Sequence, residues 1–422
     1  MRNDIVKNVE SNPSHPPIGK IKLYFFWCLL VIVSLVAMEL FSFTIIKLTK
    51  RKGPYRDRIG QVGNPFHPYL GYAHAPNFTF EISKGPVKGM RLVTDENGWS
   101  ITPFFSHATP DITVIVTGGS TIFGVGSSRN STTVPSILER LINERLNIRA
   151  EVINLALRGG QSFQEMLLVD RFFAENQADL VLALSGRNDA SQAFFEPTVE
   201  GAFLKKHIWD NAVFLVNRAE RGEFMLINLE RKLRSWSYTY DLLYRQLEKV
   251  RKRRKSRTPA SPSMNNLRRE APTSVKQRAK ITATHYAAAQ QISKMNGATF
   301  VMVLQPTPYY KNNWTEEEVG RIERKYESED IMKTYRQHEH EFYDAFRRIK
   351  KPFQFIDLSR IFSESKETLY IDQCHYNDLA AEKFAEKIFE SIEPLFHKIR
   401  GRSSSAVVDH GDYFGFVSPD DC

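Results

Sequence analysis

The sequence of 422 residues contains few cysteines and only one long apolar run. Cys28, Cys374 and Cys422 are too few for a disulfide framework, and their spacing is not that of a zinc finger. Hydrophobic residues make up 42% and charged residues 25%, which is ordinary for a globular protein. These values exclude a wholly disordered chain, a collagen-like chain and a polytopic membrane protein, and we find no internal repeat.

Excess positive charge is confined to one segment. Between Lys249 and Lys280 there are twelve lysines and arginines and one acid, so this stretch supplies more than the whole net charge of +10. A basic face for nucleic acid is therefore not predicted. We interpret the run 251–257 as a solvated linker, with contact to anionic lipid or polysaccharide as the alternative.

The single apolar run, residues 23–46, carries one charge, Glu39, and has basic residues on both flanks. Roughly 20 apolar residues are enough to cross a bilayer. The run is longer than a signal-peptide core and has no nearby cleavage site, so it predicts an uncleaved single-pass anchor after a tail, 1–22. A buried core helix is the alternative. Four basic residues precede the run and six follow it, a contrast that leaves the membrane side of the main domain, extracytoplasmic or cytoplasmic, open.

The main domain is predicted at 111–400, after a lead-in at 47–110 that is rich in proline, glycine and aromatic residues. Short strand-like runs alternate with helical periods, which predicts an α/β fold with a parallel sheet covered on both faces. Predicted strands lie at 112–117, 151–155, 180–184, 300–304 and 353–356, and predicted helices at 136–146, 163–173, 275–295, 315–349 and 378–399. A long insertion, 190–274, is expected to begin helical and to be disordered from 251 to 274, and the tail 401–422 is expected to be loose.

Glycines and polar residues follow three of the strands, at the edge where ligands bind in open parallel sheets. Gly118 and Gly119 precede Ser120 after the first strand, Gly159 follows the second, and Asn188 follows the third. The first block is neither a nucleophile elbow of the G-x-S-x-G type nor a P-loop. Alone, it is typical of a plain glycine turn.

Asp372 and His375 are expected to open the last helix and to share one turn. The carboxylate could then fix the tautomer of the imidazole, while the other ring nitrogen faces Ser120. A helix cap with a surface histidine is the alternative. Cys374 adjoins His375, but because neighbours in sequence usually point apart, we expect it to be a small packed side chain and not a nucleophile.

Taken in order, the four blocks resemble the SGNH (GDSL-like) hydrolase superfamily over about residues 111–396. The departure is Gly119, where the family usually has aspartate. The resemblance implies a flavodoxin-like sheet and a serine esterase mechanism without metal or organic cofactor. By position it makes Ser120 the nucleophile, His375 the general base and Asp372 its orienting partner.

The same resemblance implies that the backbone N–H groups of Ser120 and Gly159 and the side chain of Asn188 are the oxyanion donors. The sequence thus predicts a membrane-anchored esterase that removes small O-acyl groups, plausibly acetyl, from a carbohydrate or cell-surface glycan. Two alternatives stay open. One is an O-acyltransferase to a sugar hydroxyl, supplied by a membrane protein partner, and the other is a non-catalytic glycan-binding or scaffold protein.

Overall fold

A computed structural model describes most of the chain, and its residues fall into two compact units. The described residues are 18–48, 65, 67–81, 88–105, 109–195, 224–255, 273–322 and 329–406. One unit groups residues 1–62 with 217–267, and the other groups 63–216 with 268–422. The predicted N-terminal tail up to residue 17, most of the segment predicted to be disordered (256–272) and the tail from 407 lie outside the described residues.

The larger unit contains a parallel sheet of five strands. These are β3 (Ile112–Gly118), β4 (Ala150–Asn154), β5 (Leu180–Ser185), β6 (Thr299–Leu304) and β7 (Gln354–Asp357). Their spatial order is β4-β3-β5-β6-β7, and every neighbouring pair is parallel. This is the flavodoxin-like order, so the predicted fold is confirmed, with strand bounds within two residues of those expected.

Helices cover both faces of the sheet. They are α2 (Ser120–Phe123), α3 (Val134–Leu146), α4 (Ser162–Phe173), α5 (Arg187–Phe195), α8 (Val275–Met295), α9 (Glu316–Ile322), α10 (Glu329–Arg348) and α11 (Asp378–Ala406). One apolar core lies between the sheet and helices α3 and α11, and a second lies between the sheet and helices α4, α8 and α10. Strand β5 is buried along its whole length, as a central strand without charges should be.

The lead-in forms a small antiparallel pair in the larger unit, β1 (Thr79–Glu81) with β2 (Arg91–Val93). The amide of Asn130 accepts a hydrogen bond from Val93 N at 2.7 Å and donates to Val93 O at 3.0 Å and Ile101 O at 2.9 Å. The side chain of Asn130 therefore joins the lead-in to the segment that precedes α3.

The described residues of the smaller unit form three helices, α1 (Ile18–Leu48), α6 (Phe224–Trp236) and α7 (Tyr238–Lys255). Within α1, residues Lys22–Leu48 form a stretch long and apolar enough to cross a membrane, by length and composition. Residues 224–255 of the insertion form α6 and α7 and group with α1, whereas residues 196–223 lie outside the described part of the chain.

Three helix bounds differ from those expected. The predicted helix 315–349 is two helices, α9 and α10, with residues 323–328 between them outside the described part. Helix α7 continues to Lys255, into the segment predicted to be disordered, and α11 continues to Ala406, into the predicted tail. Lysine and arginine are good helix formers, so the beginning of a charged run can prolong a helix that is already nucleated.

Candidate active site

Ser120 is positioned by a tight turn between β3 and α2. Gly118 has φ +157°, and a Cβ there would lie 2.6 Å from Leu184 O, so the close approach of β5 requires glycine. Gly119 precedes the helix with extended backbone, and Ser120 is its first residue. The Ser120 N–H is therefore among the first N–H groups of this helix, which have no intrahelical acceptor.

Asp372 and His375 lie in the loop before α11, which begins only at Asp378. The expectation that they open the helix is therefore wrong, although they do share a turn. One carboxylate oxygen, Oδ1 of Asp372, accepts the backbone N–H groups of Cys374 and His375, both at 2.9 Å. An aspartate that satisfies its own following N–H groups stabilises a turn in place of a helix.

The three side chains form a continuous relay. Ser120 Oγ lies 2.7 Å from His375 Nε2, and His375 Nδ1 lies 2.8 Å from Asp372 Oδ2. Asp372 uses its second oxygen for this contact, so the same carboxylate fixes both the loop and the ring. This geometry holds a proton on Nδ1 and leaves Nε2 to accept the serine proton.

The surroundings of His375 favour its protonated form. Burial alone disfavours the imidazolium, but the Cys374 sulfur and the Asp372 carboxylate outweigh it and raise the pKa of His375 above its ordinary value. Burial likewise opposes ionisation of Asp372, yet the hydrogen bonds from His375 hold the pKa of Asp372 well below its usual range. Asp372 is thus ionised throughout the physiological range and can stabilise an imidazolium.

Two further loops meet the serine turn. Leu157 N donates to Gly118 O at 2.9 Å, which joins the loop of Gly159 to the end of β3. Asn188 Nδ2 donates to Gly160 O at 2.7 Å, so it bridges the loops after β4 and β5. Gly159 has φ +74°, and its N–H makes no backbone hydrogen bond to another described residue. The residues predicted as oxyanion donors therefore lie at the start of α2, in the loop after β4 and in the first turn of α5, and hydrogen bonds join these segments.

Gly119 stands against the side chain of Asn188. A Cβ at position 119 would lie 2.2 Å from Asn188 Nδ2, far inside van der Waals contact. The position where the resembled family usually has aspartate therefore has no room for a side chain while Asn188 stays in place. The departure at Gly119 is thus matched to the placement of the asparagine.

Cys374 contacts the histidine that follows it, contrary to expectation. Its Sγ lies 3.4 Å from His375 Nδ1, because the turn capped by Asp372 brings neighbouring side chains to the same side. Asp372, Cys374 and His375 are also the one group of three possible metal ligands found among the described residues, with ligand atoms within 4.8 Å of one another. The hydrogen bonds between Asp372 and His375 and between His375 and Ser120 already use Oδ2 of Asp372 and both ring nitrogens of His375.

Buried polar residues that the sequence analysis missed form hydrogen bonds to the segments that carry the site. Glu165 accepts hydrogen bonds from Thr117 at 3.0 Å and Ser185 at 2.6 Å, which joins the ends of β3 and β5. Arg187, which precedes Asn188, forms an ion pair with buried Glu339 at 3.1 Å and donates to Gln373 O at 3.4 Å, two residues before His375. The one signal for these residues in the sequence is that each is a charged residue within a segment that was expected to be buried.

A second serine–histidine contact lies deeper in the fold. Ser162 is fully buried, and its Oγ lies 2.6 Å from Asp189 Oδ1 and 2.9 Å from His285 Nδ1. The Ser162 hydroxyl donates its one hydrogen bond to Asp189 Oδ1, so its oxygen is left to accept a hydrogen bond from His285 Nδ1. This arrangement does not activate Ser162, and its burial keeps it from substrate.

No protein-family model matches the sequence, and no curated protein matches it. Among solved structures, the chain is similar to a GDSL-like lipase from Bacteroides ovatus, with 12% identity over 69% of this chain and a TM-score of 0.35. The match spans 56% of that lipase. An acetylxylan esterase from Geobacillus stearothermophilus matches with 10% identity over 67% of this chain and 94% of its own, with a TM-score of 0.34.

A member of the lipolytic G-D-S-L family from Veillonella parvula matches with 10% identity over 66% of this chain and 96% of its own, with a TM-score of 0.33. The function of this chain is argued below from its own side chains.

Proposed function

We propose that the chain is a membrane-anchored serine hydrolase of the SGNH type that cleaves small O-acyl esters. The observation that carries this proposal is the relay in which Ser120 Oγ lies 2.7 Å from His375 Nε2 and His375 Nδ1 lies 2.8 Å from Asp372. A serine, a base and an orienting carboxylate in this order are what acyl transfer through a covalent intermediate needs.

In the proposed reaction, Ser120 Oγ attacks the ester carbonyl carbon while His375 Nε2 takes the hydroxyl proton. The carbonyl oxygen becomes an oxyanion, which the Ser120 N–H, the Gly159 N–H and the Asn188 side chain stabilise. His375 then gives the proton to the departing alcohol oxygen, which leaves an acyl-serine. Water, deprotonated by the same nitrogen, attacks that acyl group and releases the acid with Ser120 restored.

The substrate class follows from the site and the anchor together. We propose an O-acetyl or similarly short ester on a carbohydrate close to the membrane surface, since helix α1 would hold the larger unit there. One of the similar solved structures is an acetylxylan esterase, and its name refers to a short acyl group on a sugar, like the substrate proposed here. A single-pass arrangement of residues 23–46 is part of this proposal.

The proposal is tested with p-nitrophenyl acetate and with an acetylated oligosaccharide, using the purified full-length chain. Ser120→Ala should lower turnover by about 10³-fold or more, because it removes the nucleophile. Ser162→Ala is the matched control, since it removes the other serine in contact with a histidine and should retain most of the turnover. Full activity in Ser120→Ala would refute the proposal, and acetyl transfer to an added sugar in preference to water would identify an acyltransferase.

A further inference from the structure

Helices α6 and α7 form a hairpin whose apolar side chains face outward. In α6 the stripe repeats at spacings of three and four residues, and in α7 it does the same. Its members are Leu226, Leu229, Leu233 and Trp236 on α6 and Leu243, Leu247 and Val250 on α7, all of them exposed. Trp236 is 75% exposed and Leu247 is 66% exposed, so these are whole side chains on the surface of the described part of the chain.

Three charged side chains of the same hairpin, Arg234, Asp241 and Arg245, pair with one another. Asp241 is fully buried and pairs with Arg234 at 3.4 Å and with Arg245 at 2.5 Å. The Arg234 guanidinium also lies 3.8 Å from the centre of the Tyr244 ring. The helices are thus joined by an ion-pair cluster, which is the inverse of a helical hairpin folded in water.

Such an inverted arrangement matches a lipid environment. In water an amphipathic helix buries its apolar stripe, and aspartate is almost never fully buried unless it is paired. At a membrane, apolar stripes face the acyl chains, and charges are paired away from them. The hairpin therefore has the distribution of side chains that a bilayer selects.

The hairpin is joined to α1 by the half-buried carboxylate of Glu39. Glu39 accepts hydrogen bonds from the Ser237 hydroxyl at 3.0 Å, from Thr239 N at 3.2 Å and from Tyr238 N, and so caps the first turn of α7. Thr239 Oγ1 also lies 3.0 Å from Ser42 Oγ. A negative charge at a helix N-terminus satisfies N–H groups that otherwise have no partner.

The position of Glu39 along α1 fixes the depth of this junction. Lys22 begins the apolar stretch, and 17 residues at about 1.5 Å each place Glu39 about 25 Å further along the axis. The hydrocarbon core of a bilayer is about 30 Å thick, so Glu39 lies near its far boundary when Lys22 lies at the near one. Trp236, Tyr238 and Tyr240 surround the junction, and tryptophan and tyrosine favour that boundary.

We propose that α6 and α7 lie in the interface of the membrane that α1 crosses, with their apolar stripes against the acyl chains. The inference rests on the proposed anchor and goes beyond it, because it assigns a second lipid contact to a segment far away in the sequence. The last two turns of α7 carry Lys249, Arg251, Lys252, Arg253, Arg254 and Lys255. Their charge selects anionic headgroups as the partner.

The test uses the full-length chain in lipid nanodiscs, with all three native cysteines replaced by serine and one new cysteine labelled with an environment-sensitive fluorophore. Leu229→Cys and Leu243→Cys report on the hairpin, Val31→Cys reports on α1, and Glu144→Cys on α3 is the water-exposed control. Emission is measured with quenchers attached to the acyl chains and with aqueous iodide, in phosphatidylcholine alone and with phosphatidylglycerol added.

The emission of a fluorophore at position 229 or 243 should be blue-shifted relative to that at position 144. The lipid-attached groups should quench it, and more strongly when phosphatidylglycerol is present. If position 31 behaves so while 229 and 243 are quenched by iodide like position 144, the inference is wrong and the anchor stands. Shielding of 229 and 243 from both quenchers would mean a protein partner or a second copy, which also overturns it. If position 31 is itself open to iodide, the anchor fails and the inference falls with it.

Discussion

The protonation state of His375 decides whether Ser120 can react. Because the pKa of His375 is raised, the neutral base is present only at pH values above the ordinary histidine range. We expect kcat/KM for a neutral ester to fall with decreasing pH, tenfold per unit below that pKa. The pH dependence of kcat/KM for p-nitrophenyl acetate measures this decrease. A decrease that begins only below pH 6 would contradict the raised pKa of His375.

Asp372→Asn should change this profile in two ways. Loss of the carboxylate lowers the pKa of His375, so the acidic limb moves to lower pH. The plateau should fall by about 10⁴-fold, since the amide no longer holds the proton on Nδ1. Steady-state kinetics across pH separates the two effects, and a plateau close to that of the parent chain would mean that Asp372 has no part in the reaction.

Cys374 offers a finer test of the same electrostatics. Its sulfur lies 3.4 Å from His375 Nδ1 and contributes to the raised pKa. Cys374→Ala should therefore move the acidic limb to lower pH while the plateau stays near that of the parent chain. Cys28→Ala, which changes an exposed thiol on α1, is the control and should leave the profile in place. Loss of all turnover in Cys374→Ala would assign the thiol a chemical role.

At the scale of the elements, the turn from β3 into α2 meets the start of α5 at the contact between Gly119 and Asn188. Gly119→Ala keeps a backbone conformation that alanine adopts freely, with φ −91°, so its effect should come only from the clash with Asn188. We expect kcat to fall by about 10²-fold or more, as for loss of one oxyanion donor. We expect a similar decrease in kcat for Asn188→Ala.

The double variant Gly119→Ala/Asn188→Ala should be no worse than Asn188→Ala alone, because the clash has lost its partner. A double-mutant cycle on kcat measures this coupling. Additive losses would show that the glycine and the asparagine act separately.

Beneath that edge, Glu165 joins the ends of β3 and β5. Burial raises the pKa of Glu165 to about 8. The folded chain then binds one proton more than the unfolded chain between about pH 4.5 and 8, so stability decreases as pH rises through that window. The free energy of unfolding should lose up to about 1.4 kcal/mol per pH unit from this group.

Glu165→Gln should remove that contribution, because the amide cannot ionise. Urea unfolding of the parent and the variant at pH 5, 6, 7 and 8 gives the two slopes. Equal slopes would mean that Glu165 titrates normally.

The elements were predictable where the sequence is uniform in character. Strands β3 and β5 are short apolar runs without charge, and α8 is long and periodic, so these elements could be predicted from the sequence. The loop at Asp372 was not predictable, since the choice between helix and turn depends on which N–H groups the carboxylate accepts. The same limit applies to Glu165 and Asp189, whose partners come from distant parts of the chain.

For the whole molecule, the order of the four motifs predicted the sheet and the meeting of Ser120, His375 and Asp372. The sequence did not predict that α6 and α7 group with α1, because the cap by Glu39 is a contact across about 200 residues. Periodicity shows that a helix has an apolar stripe but does not show which way the stripe faces.

The two units should also differ in what they do. The site lies in the larger unit, and α1 lies in the smaller one. Full-length protein should stay with membranes after an alkaline carbonate wash, and a chain that lacks residues 1–48 should be more readily extracted while it still hydrolyses p-nitrophenyl acetate. Fractionation followed by turnover measures both, and release of the full-length chain by carbonate would contradict the anchor.

Covalent labelling tests the central claim most directly. A fluorophosphonate forms a stable bond only with a serine oxygen that a base has activated. In folded full-length protein, mass spectrometry should place the label on Ser120, and His375→Ala should abolish it. A label on Ser162 or on another serine, or a folded sample that takes up no label, would contradict the account.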